Sequence, residues 1–303
     1  MGEWIVNIIF ISLSILSTIL PLMYIVMYYM FRELNKKVSY QIIFRFSLSM
    51  FLSNLSSSLG LQKEPNINCW ILGIGTNIFT LSGIFWLLYL TYFLYSIVKH
   101  RTRYIFKQNI IIEIICWGIP TLVTLLPLVN TTYGVPTNKH NTETYKWCWV
   151  VATDNSPEWA LQFWFWMSFY LWVWMAIILI ILLLIRISCI QKNKVKDERK
   201  STMTKTLTNL TLYPIVFITC WLPSTIIDYL DYKDIYYDYN EIISYIGNIL
   251  AVSMGFFSFL VLYFSNIIIH SLIVKLYKAH FNLSLFRLQR RISDFTKRTS
   301  LAK

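Results

Sequence analysis

Seven long apolar runs divide this chain, and nearly all of its positive charge falls on one side of them. A helix needs about 20 apolar residues, each rising about 1.5 Å, to cross the hydrocarbon of a bilayer. The runs are about Ile5–Phe31, Tyr40–Gly60, Cys69–Val98, Asn109–Val129, Trp159–Ser188, Thr206–Leu230 and Ile242–Ser271. Threaded with the N-terminus outside, the outer segments hold only Lys63, Lys139, Lys146 and Lys233 of the 27 Lys and Arg. The opposite threading places the basic loops outside, against the bias that keeps Lys and Arg in cytoplasmic loops. The expectation is an all-α membrane protein: a seven-transmembrane helix bundle, multi-pass, with the N-terminus outside and the C-terminus cytoplasmic.

Composition agrees. Of 303 residues, 56% are hydrophobic and 14% charged, more apolar surface than a soluble domain buries. The spans and their short loops fill residues 1–274, so no second globular domain is expected there. The first run is too long for a signal-peptide core and no small-residue cleavage site follows it. It reads as a retained first span behind an outer tail of a few residues, which leaves no large N-terminal ligand-capturing domain. The net charge of +12 lies in loops between apolar runs. Its expected counterparts are the lipid bilayer's anionic inner leaflet and acidic partner surfaces, not nucleic acid.

Residues 275–303 form a separate basic tail. Phe281, Leu285, Leu288, Ile292 and Phe295 make one apolar stripe at helical spacing, flanked by Arg287, Arg290, Arg291, Lys297 and Arg298. Such a helix is expected to lie on the inner leaflet. A short dimerising coiled coil is the alternative.

Signatures of catalysis are missing. There is no H-E-x-x-H, G-x-S-x-G or phosphate loop, and His100, His140, His270 and His280 are scattered. No enzyme activity, cofactor or metal is expected. The seven-helix topology is shared by G-protein-coupled receptors and some light-driven pumps, but a retinal pump needs a lysine in its last helix, and the last run has none. A transporter or channel is expected to show an internal repeat or a row of intramembrane charges, and neither is visible. A seven-helix protein with no signalling partner stays open as another reading.

Only Cys69 and Cys148 of the five cysteines share the outer, oxidising side. A bridge between them would tie the long outer loop to the top of the third helix, as a lid; two free thiols are the alternative. Arg45 and Glu113 each lie about one turn in from the inner face. Arg45 is read as snorkelling to the headgroups, with a pair to Glu113 across the second and fourth helices as the other possibility. Asp228 sits near the outer end of the sixth helix, where it either faces a pocket or caps a solvated end. Pro120 and Pro127 interrupt the fourth run. Asn130-Thr131-Thr132 is a glycosylation sequon on the outer side, close to the membrane. Ser293, Thr296, Thr299 and Ser300 are candidate inner phosphorylation sites.

Several segments resemble the cyclic AMP receptor family of social amoebae and its receptor-like relatives. Cys116-Trp117-Gly118-Ile119-Pro120 is similar to that family's C-W-G-L/I-P, and Trp147-Cys148-Trp149 to its W-C-W. Tyr213-Pro214-Ile215-Val216-Phe217 followed by Cys220-Trp221 resembles its sixth helix, and Ser253-Met254-Gly255-Phe256-Phe257 its S-x-G-F-W segment. The similarity covers about residues 35–270 in unbroken order. Departures exist. Cys220-Trp221-Leu222-Pro223 matches the C-W-x-P of rhodopsin-like receptors, yet Lys99-His100-Arg101 stands where those receptors carry D-R-Y. The last run lacks N-P-x-x-Y, Tyr263-Phe264-Ser265-Asn266 being the nearest text.

The resemblance implies a plasma-membrane receptor that transduces an extracellular ligand to a heterotrimeric G protein. Pocket candidates are Thr76, Asn77, Trp149, Trp221, Asp228 and Asn248, with Pro214 and Pro223 as hinges of the sixth helix. The basic inner loops carry the topology signal and lipid contact; in a receptor, Lys99, Arg101, Arg103, Lys196, Arg199 and Lys200 also meet the G protein. The ligand is expected not to be cyclic AMP. That anion calls for Arg or Lys. The outer half offers four Lys and no Arg against Glu3, Glu64, Glu143, Asp154, Glu158, Asp228, Asp231, Asp234, Asp238 and Glu241. Such a potential repels an anion.

Overall fold

The structure is a computed structural model describing residues 2–59, 67–100, 110–134, 148–153, 156–194, 201–232 and 240–265. Seven long helices lie among them. They are α1 (Gly2–Met30), α2 (Val38–Leu59), α3 (Ile67–His100), α4 (Ile110–Val129), α5 (Glu158–Phe165, Trp166–Tyr170 and Leu171–Lys194 in one run), α6 (Ser201–Tyr232) and α7 (Asn240–Ser265). A short helical turn, Arg32–Asn35, joins α1 to α2. The chain divides into two compact units, Met1–Phe259 and Leu260–Lys303. Of the second, residues 260–265, the last turn and a half of α7, are described; the expected amphipathic tail helix lies outside the described residues.

Within the first unit α3 is the hub. It packs most extensively on α2, then on α5, and also touches α4 and α6. Its inward residues Leu81, Ile84, Leu87, Leu90 and Leu94 are fully buried. Large apolar side chains are instead exposed along α1 (Ile8, Ile11, Ile15, Ile19, Leu22) and α5 (Leu171, Met175, Ile178, Leu182, Ile185). A water-soluble protein does not leave stripes of that size uncovered. Here hydrocarbon is their solvent, and five of the helices are long and apolar enough to cross it, with a shorter apolar stretch, Ile249–Phe264, in α7.

α2 falls short on hydropathy because it carries Arg45, Ser53, Asn54 and several further serines. Ser47, Ser49, Ser53 and Asn54 turn into the bundle and are buried there. Ser53 Oγ and Thr80 Oγ1 lie 2.6 Å apart, and Asn54 Nδ2 donates to the Ser17 carbonyl at 2.9 Å. Polar side chains that join helices are the glue available where water is absent.

Proline and inserted side chains shape α4 and α5. Pro120 lacks the N–H that would bond the Cys116 carbonyl, and the turn ahead of it, Ile114–Gly118, widens to π geometry. Pro127 sits in a closing 3-10 turn, Leu126–Val129, whose Pro127 carbonyl accepts from Thr131 N at 2.9 Å and Thr131 Oγ1 at 2.5 Å. In α5 a second π turn covers Trp166–Tyr170. Around it Ser168 Oγ donates to the Trp164 carbonyl at 2.6 Å and Trp172 Nε1 to the Met167 carbonyl at 2.9 Å.

Between α4 and α5 the chain forms a small hairpin. β1 (Thr132–Gly134) pairs antiparallel with β2 (Trp149–Val151), Tyr133 opposite Val150. Both of those side chains are buried, as strand alternation requires of one face.

Candidate functional site: a bridged hairpin on an aromatic stack

Cys148 enters β2 bonded to Cys69 of α3, with Cα atoms 5.4 Å apart across 79 positions of sequence. The expected bridge is present and fixes the hairpin on the end of α3. One turn further along α3 stands Gly73. A Cβ there would lie 2.9 Å from Cys148 Cβ, 3.0 Å from its carbonyl oxygen and 3.2 Å from the Tyr133 ring. Glycine is what lets the hairpin lie flat on the helix.

Tyr133 anchors the hairpin from below. Its hydroxyl donates to the Thr124 carbonyl of α4 at 3.0 Å and accepts from Asn77 Nδ2 of α3 at 3.3 Å. Burial pushes the phenol up to about 12, the Asn77 hydrogen bond working against that rise, so it stays a neutral donor near pH 7. Asn77 and Thr124 are both fully buried, and among the described residues Asn77 Oδ1 and Thr124 Oγ1 have no hydrogen-bond partner.

Trp149, the next residue of the hairpin, meets the π turn of α5. Its ring lies edge-on to Phe169 at 5.3 Å and tilted against Tyr170 at 6.0 Å. Phe169 in turn lies 5.5 Å from Trp221 of α6, and Trp221 Nε1 points at Met254 Sδ of α7 at 3.0 Å. One line of ring contacts thus runs from the hairpin through α5 to α6, ending on a methionine of α7. Each such aromatic pair is worth about 0.5–1.5 kcal/mol beyond its buried area. Trp221 lies between Pro214 and Pro223, both inside α6.

The predicted pocket residues therefore divide. Asn77, Trp149 and Trp221 belong to this hairpin-and-stack assembly. Thr76 is half-buried and spends its hydroxyl on the Leu72 carbonyl of its own helix at 2.8 Å. Asp228 and Asn248 lie on α6 and α7, but their side chains lie outside the described residues. So do Arg101, Arg103, Lys196, Arg199 and Lys200; Lys99 is exposed near the end of α3, its ammonium 5.5 Å from the Tyr95 ring. Asn130 is half-buried. Its Oδ1 accepts from Trp164 Nε1 at 2.5 Å and its carbonyl from Ser156 Oγ at 2.6 Å. Sequence reasoning missed Tyr133, Phe169 and Gly73. A tyrosine between Thr132 and Gly134 and one Phe in a run of aromatics carry no periodic signal.

A second cluster corrects the sequence reading of Arg45. The side chain does not snorkel. Its Nε donates to Glu113 Oε1 of α4, its Nη1 donates to the Gln41 carbonyl at 3.1 Å, and its guanidinium lies 5.2 Å from the Trp86 ring of α3. An acid and an aromatic face within reach satisfy the arginine inside the bundle.

A third junction ties α7 to α1 and α2. Phe256 N donates to Ser17 Oγ at 3.1 Å, beside the Asn54–Ser17 bond. Gly255 makes room for it.

The sequence profile of the slime mold cyclic AMP receptor family matches residues 3–299. The chain belongs to that family. A curated relative, cyclic AMP receptor-like protein C of Dictyostelium discoideum, is 25% identical over 224 residues, covering 71% of this chain and 57% of that protein. The chain thus spans little more than half the length of that relative. Among solved structures squid rhodopsin superposes with a TM-score of 0.71 at 12% identity, covering 90% of this chain and 84% of its own. At that identity the likeness establishes the fold alone: the seven-helix arrangement seen in that rhodopsin. The family resemblance read from sequence now has physical content in this chain. C-W-G-I-P is the π turn before Pro120, with Trp117 edge-on to Phe79 at 6.5 Å. W-C-W carries the bridge and the stack. S-M-G-F-F carries Met254, Gly255 and the Phe256 bond to α1.

Proposed function

We propose that this family member is a plasma-membrane G-protein-coupled receptor of the cyclic-AMP-receptor-like type. Its N-terminus and bridged hairpin are outside and its C-terminus is cytoplasmic. It transduces an extracellular ligand other than cyclic AMP to a heterotrimeric G protein. The observation that carries this reading is the unbroken contact from Trp149 through Phe169 to Trp221. A ligand touching the hairpin biases the packing of α6, which its two prolines leave able to bend, and so shifts the population between two bundle states. Oxidation of Cys69 and Cys148 supports an outside hairpin. Loops rich in Lys and Arg, Arg101, Arg103, Arg199 and Lys200 among them, suit an acidic partner at the other end.

The exclusion of cyclic AMP rests on the ten acids against four Lys in the outer segments. Binding of cyclic AMP to purified receptor at micromolar concentration or tighter overturns it. The test of signalling is nucleotide exchange on a panel of G-protein α subunits with receptor in lipid nanodiscs, with and without tissue or medium extracts. Exchange should rise with receptor and fall in the Arg101→Ala, Arg103→Ala variant. Absence of exchange on every subunit, from folded and bridged protein supplied with each extract, removes the signalling half of the proposal.

A further inference from the structure

We infer that Tyr213 of α6 is a conformational device: its hydroxyl goes unmet while the end of α6 before Pro214 lies against α2, and this biases the helix toward bending away there. The inference deepens the proposed function and rests on its two bundle states; it names the residue that sets their balance.

Tyr213 stands directly before the first proline of α6 and near the start of the apolar stretch Leu210–Ile227. Its side chain is buried, and its ring meets Phe46 of α2 edge to face, centroids 6.3 Å apart. Phe46 and Phe217, one turn further along α6, are fully buried as well. Among the described residues the Tyr213 hydroxyl has no hydrogen-bond partner. Its electrostatic neighbours are Tyr24 of α1 and Tyr40 of α2. The Tyr24 hydroxyl places its own proton on the Tyr40 carbonyl at 3.0 Å, a bond that joins α1 to α2 and leaves Tyr213 out.

The hydroxyl oxygen has essentially no water-accessible surface, so neither water nor a ligand meets it in this packing. A buried donor left in that condition weakens the state that contains it. Movement of the helix is what remains. Pro214 has no N–H for the Leu210 carbonyl, and a helix bends at such a gap more readily than elsewhere. A bend that swings the segment before Pro214 away from Phe46 frees the Tyr213 hydroxyl beside the polar stretch Ser201–Asn209, where water satisfies it. The same bend parts an aromatic pair. The two effects oppose each other: the ring contact holds α6 in and the hydroxyl lets it out. Phenylalanine at this position would keep the first and lack the second. Tyrosine leaves both states within reach of a ligand's bias.

The test measures the distance between the ends of α2 and α6 in the full chain, in neutral-lipid nanodiscs without ligand or G protein. Spin labels sit on Lys37→Cys, exposed in the turn before α2, and on Lys205→Cys, in α6 before Pro214. The exposed Cys189 is changed to Ser; Cys116 and Cys220 are buried. The parent should show two distances. Tyr213→Phe should cut the longer-distance population at least about fivefold, the equivalent of meeting one buried hydroxyl. It should also raise the thermal midpoint, whereas Tyr133→Phe, whose hydroxyl is bonded to Thr124 and Asn77, should lower it. Phe46→Leu weakens the ring contact, leaves the hydroxyl in place and should enlarge the longer-distance population. A single distance in the parent, an unchanged ratio in either the Tyr213 or the Phe46 variant, or a lower midpoint for Tyr213→Phe overturns the inference. Because no G protein is present, loss of nucleotide exchange with the Tyr213 effect intact sinks only the signalling reading. Exchange that persists while Tyr213→Phe leaves the distances unmoved sinks only this one.

Discussion

A Cβ placed on Gly255 of α7 would fall 2.5 Å from the backbone carbonyl oxygen of Ser17 in α1. Backbone cannot move aside as a flexible side chain does, so the two helices touch at this point because residue 255 has no side chain. Gly255→Ala should lower the stability of the protein by about 1–3 kcal/mol, the usual cost of overpacking. The sign is informative, since alanine is the better helix former by up to about 1 kcal/mol. Thermal unfolding in nanodiscs decides: a variant as stable as the parent means α1 and α7 do not meet here.

Arg45 and Glu113 should behave as a pair. Changing either alone strands a charge inside the bundle and should cost about 3 kcal/mol, less if water reaches Glu113, whose side chain is 33% exposed. The double variant Arg45→Met, Glu113→Met should cost less than the two singles together. A double-mutant cycle that adds without a coupling energy returns Arg45 to the headgroups.

The bridge and the glycine beneath it make a linked prediction. Cys148→Ser should lower the unfolding midpoint by the equivalent of about 2–4 kcal/mol. Gly73→Val should do similar damage with both cysteines intact, by lifting β2 off α3. Thiol labelling of unreduced protein separates the causes: the valine variant that stays fully bridged yet as stable as the parent shows that the hairpin has room.

Tyr133 gives an alkaline signature. Its phenol titrates at about 12 in the folded protein against 10.0 for the free group. A raised folded value means its contribution is whole below pH 10 and is lost as the pH climbs through 12. Tyr133→Phe should be less stable at neutral pH, having lost two hydrogen bonds, and the parent's margin over it should shrink between pH 10 and 12. A margin that stays constant across that window means the phenol is not buried.

The spans were readable because hydropathy and the Lys/Arg bias report directly on partition into lipid. The third run, read as Cys69–Val98, is the helix Ile67–His100, and the second, read as Tyr40–Gly60, is Val38–Leu59. The cysteine pair was readable because topology left one partner for Cys69. Arg45 was not, since snorkelling and pairing differ only in which way one flexible side chain turns, and that depends on Glu113, 68 positions away. Nor were the π turns. They arise where a proline or an inserted hydroxyl disturbs a hydrogen-bond ladder, and Pro120 alone does not say whether the helix kinks, widens or breaks. Phe169 was hidden among the aromatics of α5 because its inward aim depends on such a turn. Thr76 and Asn77, adjacent in sequence, looked alike as pocket candidates; 100° of helix rotation separates their directions, and Asn77 is the one aimed at Tyr133.

The π turn at Trp166–Tyr170 holds a consequence for the length of α5. A turn that wide contains one residue more than an α turn, so everything on one side of it is rotated by about 100° relative to what a regular helix would give. The α5 face that meets the hairpin and the face that continues along the bundle therefore keep separate registers. Closing the turn to regular α geometry without removing a residue would leave a perfectly good helix that presents the wrong side chains to Trp149 and Trp221. In this bundle the count of residues in one turn is as much a determinant of contact as their identity.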